Sequence, residues 1–386
     1  MILQDDFPPD IRLEKEISTL KETFTVHLLC NNKEARERQI ESCGAQVFRI
    51  NRLFFLPKKL RILLNMPVFF SPVWLWSIYK NAKRFRVHVL HVHDLPLAQA
   101  AIWVGKLLKL PVIYDMHENY PAVMKIWLKD SKTNFFFKNP YIAGLLDRSC
   151  MRGADQLITV IDERKEQLVK HGVPAQKVHI ISNTINLEKF YNFTIDESIR
   201  ENYKNNFTLM YIGFFSSERG LDTAIEGVAL LAEHIPHIKL VLVGEGKDRE
   251  LLLKLAAEKN IVELVEVKPW VDFSKVPSYI HAGDICIDPR PSNEPNDTTI
   301  SHKIFQYMAM AKPLLTSDSK PFTRILSEYR CGETFHSGSP HSFAENVLKI
   351  YKSDTPYGDN GVRAVKEKYN WQETGKTLLK LYDQIV

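Results

Sequence analysis

Short apolar runs alternate with longer segments of helical periodicity along the whole chain. Short runs rich in β-branched residues are typical of buried parallel strands, and apolar residues spaced by three and four positions are typical of helices. The strands fall into two sets. The first set is predicted at 25–29, 87–92, 112–114, 157–160 and 178–180. The second set is predicted at 209–212, 239–243, 262–267, 285–287 and 313–316, with helices at 222–233 and 248–259 between its strands.

The two strand sets predict two domains. The segment 191–206 between them is polar, irregular and rich in Asn, and we interpret it as a linker. A chain of 386 residues is too long for one ordinary core, and 45% hydrophobic with 25% charged residues is the composition of a folded protein. We therefore expect an α/β protein with two doubly wound parallel-sheet domains that face a cleft, at 1–190 and 207–365.

Positive charge is concentrated in the first half of the chain. Residues 1–193 contain 28 Lys and Arg against 19 Asp and Glu, whereas the rest contains 23 against 27. No acidic residue lies between Glu41 and Asp94, where two basic clusters flank the apolar and aromatic segment 62–79. One Asn and two Pro interrupt this segment, which makes it a poor transmembrane helix.

Two interpretations of the basic and aromatic segment stay open. Cations around aromatic side chains favour attachment to an anionic membrane surface, and the alternative is a buried helix with solvated basic ends. The side chains expected to take part in attachment are Lys58, Lys59, Arg61, Phe69, Phe70, Trp74 and Trp76.

The cysteines and the start of the chain indicate a reducing compartment. The five cysteines are scattered and form no C-x-x-C motif, so we interpret them as reduced and mostly buried thiols. The first residues include Asp5 and Asp6 where a signal peptide needs bases. We expect a cytoplasmic protein that is peripheral on the inner face of the cell membrane.

Loops that follow strands carry the candidate chemistry, because ligands of doubly wound sheets bind beyond the carboxyl ends of the strands. Gly213 and Gly244 each follow a predicted strand, where a glycine allows a ligand to approach the backbone and can equally mark a simple turn. Arg219 offers a cation for phosphate in the first of these loops. The chain has no G-x-G-x-x-G and no P-loop motif, which argues against NAD enzymes and ordinary NTPases.

The stretch 291–313 combines turn residues with the start of a helix. Lys303 lies in the predicted first turn, and Pro313 ends the segment. Unpaired N–H groups at a helix start beside an ammonium group form a site for a diphosphate. The alternative is an ordinary capped helix with one solvated lysine.

These motifs together resemble a known family. The marks are D-I-R-L-E-K-E at 10–16, H-V-H-D at 91–94, Y-D-M-H-E-N-Y-P at 114–121, the loop 213–220 and K-I-F-Q-Y-M-A-M-A-K-P at 303–313. They resemble the GT-B glycosyltransferases of glycosyltransferase family 4, which are retaining and use nucleotide sugars. The resemblance implies two Rossmann-like domains, the first for the acceptor and the second for the donor. It also implies a terminal helix at 366–386 that packs back on the first domain.

The resemblance implies roles for individual residues. The implied catalytic residues are His117, near the donor sugar, and Arg219 and Lys303, at the diphosphate. The implied donor-binding residues are Gly213, Gly244, Glu245, Val271, Thr298, Thr299 and Gln306. The implied acceptor-binding residues are Asp94 and Glu118, for which loop capping is the alternative, while a structural hydrogen bond is the alternative for His117.

The sequence departs from the family pattern at three positions. The two carboxylates of the E-x7-E motif would fall on Thr298 and Gln306, and an Arg that often follows the strand-end glycine is Phe214 here. Arg219, Lys303 and a helix start can stabilise a leaving diphosphate by electrostatic preorganisation. The His and acidic residues of the first half show no metal-site spacing such as H-E-x-x-H, so we expect no metal and no cofactor.

The expected function is sugar transfer from a nucleoside diphosphate sugar, with UDP favoured, to a lipid-linked saccharide in surface polysaccharide biosynthesis. Two alternatives are a GT-B sugar-nucleotide epimerase and an inactive relative that binds nucleotide and scaffolds a polysaccharide complex. Nucleic-acid binding is not expected, because the basic stretch is interleaved with aliphatic clusters and lacks a recognition motif.

Overall fold

The computed structural model describes residues 1–32, 36–37, 39–50, 70–129 and 139–386. Its contacts divide the chain into two units, one of Met1–Ser182 with Thr374–Val386 and one of Asn183–Glu373. The change of unit therefore lies before the expected boundary at 190. The segment 191–206, expected to be a linker, belongs to the second unit, where the backbone N–H of Asp196 donates to Ser278 Oγ at 2.9 Å.

The first unit contains a sheet in two parts, with strand orders β1-β3-β2 and β4-β5-β6-β7. All pairs are parallel except β2 with β3. Ile2 forms bridges to both Leu29 and Val92, so the first residues of the chain lie between the two parts. The strands are β1 His27–Cys30, β2 Gln39–Ser42, β3 Ala45–Arg49, β4 Leu90–His93, β5 Val112–Met116, β6 Gln156–Thr159 and β7 Val178–Ile180.

Helices pack on this sheet and build the core of the first unit. Ten of the fourteen residues of Leu95–Leu108 are buried, because apolar and small side chains surround this helix on most sides. The described helices are α1 Ile11–Leu20, α2 Pro72–Phe85, α3 Leu95–Leu108, α4 Tyr120–Lys129, α5 Pro140–Gly153 and α6 Asp162–Lys170.

The second unit contains a six-stranded parallel sheet in the order β10-β9-β8-β11-β12-β13. The order reverses beside β8, so the carboxyl ends of β8 and β11 form the switch point at which doubly wound sheets bind ligands. The strands are β8 Phe207–Ile212, β9 Ile238–Val243, β10 Val265–Lys268, β11 Ile285–Asp288, β12 Leu314–Ser317 and β13 Gly332–Phe335.

Ten further helices belong to the second unit or begin in it. The last one starts in the second unit, and its residues from Thr374 onward belong to the first. There the Tyr382 hydroxyl lies 2.8 Å from His91 Nδ1, within hydrogen-bonding distance. The helices are α7 Leu187–Tyr191, α8 Glu197–Glu201, α9 Leu221–Leu231, α10 Arg249–Glu258, α11 Val276–Ala282, α12 Lys303–Ala309, α13 Lys320–Tyr329, α14 Pro340–Tyr351, α15 Tyr357–Glu367 and α16 Trp371–Asp383.

Every predicted strand overlaps an observed one, and the expected doubly wound α/β architecture is confirmed. Among the described residues three strands were missed, β2, β3 and β13, and Val262–Leu264 is a 3-10 turn rather than the start of a strand. The helices expected at 222–233 and 248–259 are α9 and α10.

The basic and aromatic segment lies partly outside the described residues, which include neither Lys58, Lys59, Arg61 nor Phe69. Within α2, the expectation that Trp74 inserts into a membrane is wrong, because Trp74 is buried in the core of the first unit. Trp76 is 63% exposed. No helix in the part of the chain that the structure describes is both long and apolar enough to cross a bilayer.

Candidate functional site

Asp94 and His117 meet at the carboxyl ends of two neighbouring parallel strands of the first unit. Asp94 follows β4 and His117 follows β5, and the pairing of His93 with Asp115 sets these ends side by side. The His117 backbone N–H donates to Asp94 Oδ1 at 3.2 Å, and His117 Nδ1 lies 4.0 Å from Asp94 Oδ2. Glu118 is exposed beside them.

A buried group of charges lies behind the His117 imidazole. Arg12 of α1 donates from Nη2 to Asp115 Oδ1 and Oδ2 at 3.1 and 3.0 Å, and from Nη1 to the Ile181 carbonyl at 2.8 Å. Its Nε lies 2.6 Å from His117 Nε2, and Asp115 Oδ2 lies 3.0 Å from the same nitrogen. The imidazole is therefore fixed through Nε2, and Nδ1 is the ring nitrogen on the side of Asp94.

Burial and ion pairing act against each other in this group. Burial alone would lower the pKa of His117, but the Asp115 carboxylate outweighs it and raises the pKa to about 9. Burial would raise the pKa of Asp115, but Arg12 and His117 hold it well below its usual value. Both the charged imidazolium and the neutral ring that accepts from Arg12 carry a hydrogen on Nδ1.

Glu16 is the member of this group whose burial is least offset by hydrogen bonds. Both carboxylate oxygens are buried and have no hydrogen-bond partner in the described part of the chain, although Arg12 Nε lies 3.0 Å from Oε1. Burial raises the pKa of Glu16 to about 8. This spacing could also hold a cation, because one potential metal-ligand atom from each of four residues lies within 4.8 Å of the other three. The four residues are Glu16, His93, Asp115 and His117. Arg12 lies among these atoms and supplies positive charge there.

The glycine loops of the second unit lie against each other. The Gly213 carbonyl oxygen lies 1.9 Å from the place where a Cβ on Gly244 would be, and Gly244 has φ +148°. A side chain at Gly244 would therefore collide with the neighbouring backbone. The predicted donor-binding residues Gly213 and Gly244 are thus brought together at the ends of β8 and β9.

Cationic side chains gather at the sheet switch point, where Lys303 lies next to Gly213. Lys303, the first residue of α12, places Nζ 4.0 Å from the centre of the Tyr211 ring. That ammonium lies 2.9 Å from the position of a Cβ on Gly213, so it contacts the backbone where β8 ends. Arg219 lies close enough to act on the charge of Lys303, and its Nε is buried without a hydrogen-bond partner among the described residues.

Asp288 and Arg290 complete this group from the end of β11. Arg290 Nε donates to Asp288 Oδ1 at 3.1 Å in a buried ion pair. Burial lowers the pKa of Lys303 to about 7, with Arg290 and Arg219 acting in the same direction and Asp288 opposing them. Three cations against one carboxylate leave a local excess of positive charge, which suits a diphosphate.

The other predicted donor-binding residues are placed as follows. The Glu245 carbonyl accepts from the Phe215 backbone N–H at 2.9 Å, while its side chain is exposed. Val271 follows the end of β10 and is partly buried. Thr298 is buried, and its hydroxyl donates to the carbonyls of Glu294 and Pro295 at 2.8 and 3.0 Å. Thr299 is partly buried, and Gln306 is buried in α12.

Sequence reasoning missed Arg12, Glu16 and Arg290 as site residues. Arg290 carried an available signal, because it follows a strand end that was predicted at 285–287. Arg12 and Glu16 come from α1 and reach Asp115 through tertiary packing, which spacing along the chain does not reveal.

Family models match both halves of the chain. The model of the Glycosyl transferase 4-like domain matches residues 17–184, and that of the Glycosyl transferases group 1 matches residues 192–371. The first match contains Asp94 and His117, and the second contains Arg219 and Lys303.

Relatives and solved structures agree with these matches. An uncharacterised glycosyltransferase, MJ1069 of Methanocaldococcus jannaschii, is 24% identical over 60% of this chain and 59% of its own length. The alpha-D-kanosaminyltransferase of Streptomyces kanamyceticus is 21% identical over 81% of each chain. The crystal structure of Anabaena HepE in complex with UDP and glucose superposes with a TM-score of 0.75 at 14% identity, covering 99% of this chain and 98% of HepE. This similarity confirms the expected GT-B fold.

Proposed function

The chain is a GT-B glycosyltransferase of glycosyltransferase family 4, and we propose that it is a retaining enzyme that transfers the sugar of a UDP-sugar to a lipid-linked saccharide. The observation that carries the donor class is the group of cations at the sheet switch point, in which Lys303 lies next to Gly213, and Arg219 and Arg290 lie close enough to act on its charge. A preference for UDP is supported by the UDP in the HepE structure.

The cationic group stabilises the diphosphate as the leaving group of the reaction. When the bond from the sugar to the diphosphate breaks, negative charge grows on the leaving phosphate oxygen. Lys303 and Arg219 are already in place for that charge, so little reorganisation is required in the transition state. Lys303 rests on the Tyr211 ring, which keeps its ammonium oriented, and no carboxylate of the residues that the structure describes forms a salt bridge with it.

The lack of the two family carboxylates bears on donor contacts more than on the reaction. The Thr298 hydroxyl is engaged with backbone carbonyls, whereas the amide of Gln306 can hydrogen-bond ribose hydroxyls. Lys303 provides the positive charge that bond cleavage needs, independently of either position.

The lipid-linked acceptor is supported by the exposed surface of α2. Trp76 is exposed, and Lys80, Lys83 and Arg84 are exposed on the same helix. An exposed indole with cations nearby favours the interface of an anionic membrane, where each cation contributes about 1 kcal/mol. We propose reversible peripheral attachment through this surface, which would bring the enzyme to an acceptor held in the membrane.

A thermal-shift screen of nucleoside diphosphates and their sugars tests the donor class. A ligand at 100 times its dissociation constant stabilises the protein by about 2.7 kcal/mol, which is a readily measured shift. We expect UDP and one or more UDP-sugars to raise the Tm, and ADP and CDP to have little effect. If no nucleoside diphosphate raised the Tm at millimolar concentration, the proposed donor site would be refuted.

A further inference from the structure

A cavity of about 510 Å³ opens at the amino-terminal edge of the sheet of the first unit. Its lining includes His27, the first residue of β1, and Val87 and Val89, which precede β4. Asp94 and His117 follow their strands and so lie at the opposite edge, where doubly wound sheets bind their substrates. Pockets for small molecules usually measure about 300–1,000 Å³. The cavity therefore has the size of a ligand site and lies at a different edge from the candidate acceptor residues.

Two pairs of rings line this cavity. The ring centres of Phe24 and Tyr382 are 5.4 Å apart, and those of Phe85 and His27 are 4.3 Å apart in a stacked arrangement. Phe24, Phe85 and His27 are half-buried, so part of each ring is accessible to a ligand. Aromatic rings gain from offset or edge-to-face contact beyond the area that they bury. The lining therefore favours a ligand with a flat aromatic body.

The charge of the lining selects the sign of the ligand. Arg86, the residue that ends α2, is an exposed member of the lining. None of the described residues that line the cavity is an Asp or a Glu. A guanidinium donates paired hydrogen bonds to planar anions such as carboxylates, and such bonds are stronger than those between neutral groups. An aromatic molecule that carries one negative group would therefore satisfy both parts of the lining.

We propose that this cavity is a second ligand site that takes a small aromatic anion, with the ring beside Phe24 and Phe85 and the negative group at Arg86. The residues that form it belong to the first unit, whereas the cations of the proposed donor site belong to the second. The proposal goes beyond the proposed function and does not depend on it, because it concerns binding at an edge of the sheet that carries none of the candidate acceptor residues.

Binding is tested by fluorescence titration with anilinonaphthalene sulfonate, an aromatic anion that becomes brighter in apolar surroundings. We expect one saturable site per chain with a dissociation constant of the order of 10 µM, as the usual binding energy per atom gives for a molecule of this size. Naphthoate should displace the probe. Oleate has the same charge on a flexible chain and should not displace it at the same concentration. Absence of saturable binding, or displacement by oleate and not by naphthoate, would overturn the proposal.

A charge variant shows whether the probe binds in this cavity. Arg86→Gln should weaken binding of the sulfonate about tenfold, because a hydrogen bond to a charged group is lost. Binding of phenylnaphthylamine, which lacks the sulfonate, should stay within twofold of the wild type. The matched control is Arg152→Gln, which removes an exposed arginine in the last turn of α5 and should leave binding of both probes unchanged. An Arg86→Gln protein that bound the sulfonate within twofold of the wild type would place the probe elsewhere and overturn the site.

A variant that fills the cavity tests the aromatic part of the lining. Thr25 is an exposed member of the lining, so Thr25→Trp adds a ring there without changing the core. We expect it to weaken binding of both the charged and the uncharged probe, and thermal unfolding checks that the variant is folded. A folded Thr25→Trp protein with wild-type affinity for both probes would contradict binding in the cavity.

Discussion

Replacing Lys303 by Met should separate catalysis from stability in the second unit. The side chain has nearly the same length, so its apolar stem can still cover the Tyr211 ring, which lies 4.0 Å from Nζ. The substitution removes the ammonium group. Burial lowers the pKa of this group from the usual 10.5 to about 7. A lysine with a lowered pKa opposes folding at neutral pH, because the unfolded chain holds the proton more tightly. We therefore expect Lys303→Met to be at least as stable as the wild type.

Lys303→Met should slow the reaction, although it does not lower the stability of the protein. Removing one preorganised donor from a transition state costs about 2.7–4 kcal/mol, or about a hundredfold to a thousandfold in rate. Arg219 and Arg290 remain in the proposed diphosphate site, so we expect the lower end of this range, together with weaker binding of UDP. Calorimetric titration with UDP, initial rates and thermal unfolding measure the three quantities on one sample.

A matched control is Lys254→Met, which removes a 72% exposed ammonium on α10 of the same unit. Its rate and UDP affinity should equal those of the wild type. A Lys303→Met enzyme that kept its rate within threefold would refute the role of Lys303 in charge stabilisation. A large loss of Tm would show that the ammonium is needed for folding, and the reasoning from its lowered pKa would be wrong.

Four further outcomes follow from the same structure. The affinity for UDP-glucose should fall as the pH rises from 6 to 9, because Lys303, with a pKa of about 7, loses the charge that holds the diphosphate; a flat titration curve would contradict this. Arg12→Met should lower the free energy of unfolding in urea by about 3–5 kcal/mol, since it leaves the Asp115 carboxylate buried without its main partner, and a loss under 1 kcal/mol would contradict the buried ion pair. Trp76→Glu should reduce sedimentation with anionic vesicles at low salt while UDP binding stays unchanged, and equal sedimentation would exclude α2 from the membrane contact. EDTA should leave sugar transfer largely intact. If EDTA abolished the transfer and a divalent cation restored it, the reaction would require a metal.

The fold was predictable because the buried strands of both sheets are nearly continuous apolar runs. Burial on both faces of a parallel sheet removes the need for polar residues, so runs such as Ile238–Val243 stand out in the sequence. The strands that were missed lack this property. β2 is exposed on alternate residues at a sheet edge, and β13 begins with Gly332 and contains Glu333.

The candidate site was predictable wherever its residues follow a strand. Asp94, His117 and Gly213 all do, and one rule about the carboxyl ends of parallel strands locates them. Arg12 was not found as a site residue because its partner Asp115 lies more than a hundred residues away in the chain. The sequence left burial and membrane attachment open for Trp74, because a helix with one apolar stripe can face a core or a membrane.

The most direct test of the central claim is mass spectrometry of one reaction. The purified 386-residue chain is incubated with UDP-sugars and a membrane lipid extract, and all nucleotide and lipid products are quantified together. We predict that UDP appears in equal amount to a lipid-linked saccharide that has gained one sugar, and only when both substrates are present. Conversion of one UDP-sugar into another without an acceptor would identify an epimerase. Binding of UDP with no consumption of any UDP-sugar would identify an inactive relative, and either result would contradict the proposed transfer.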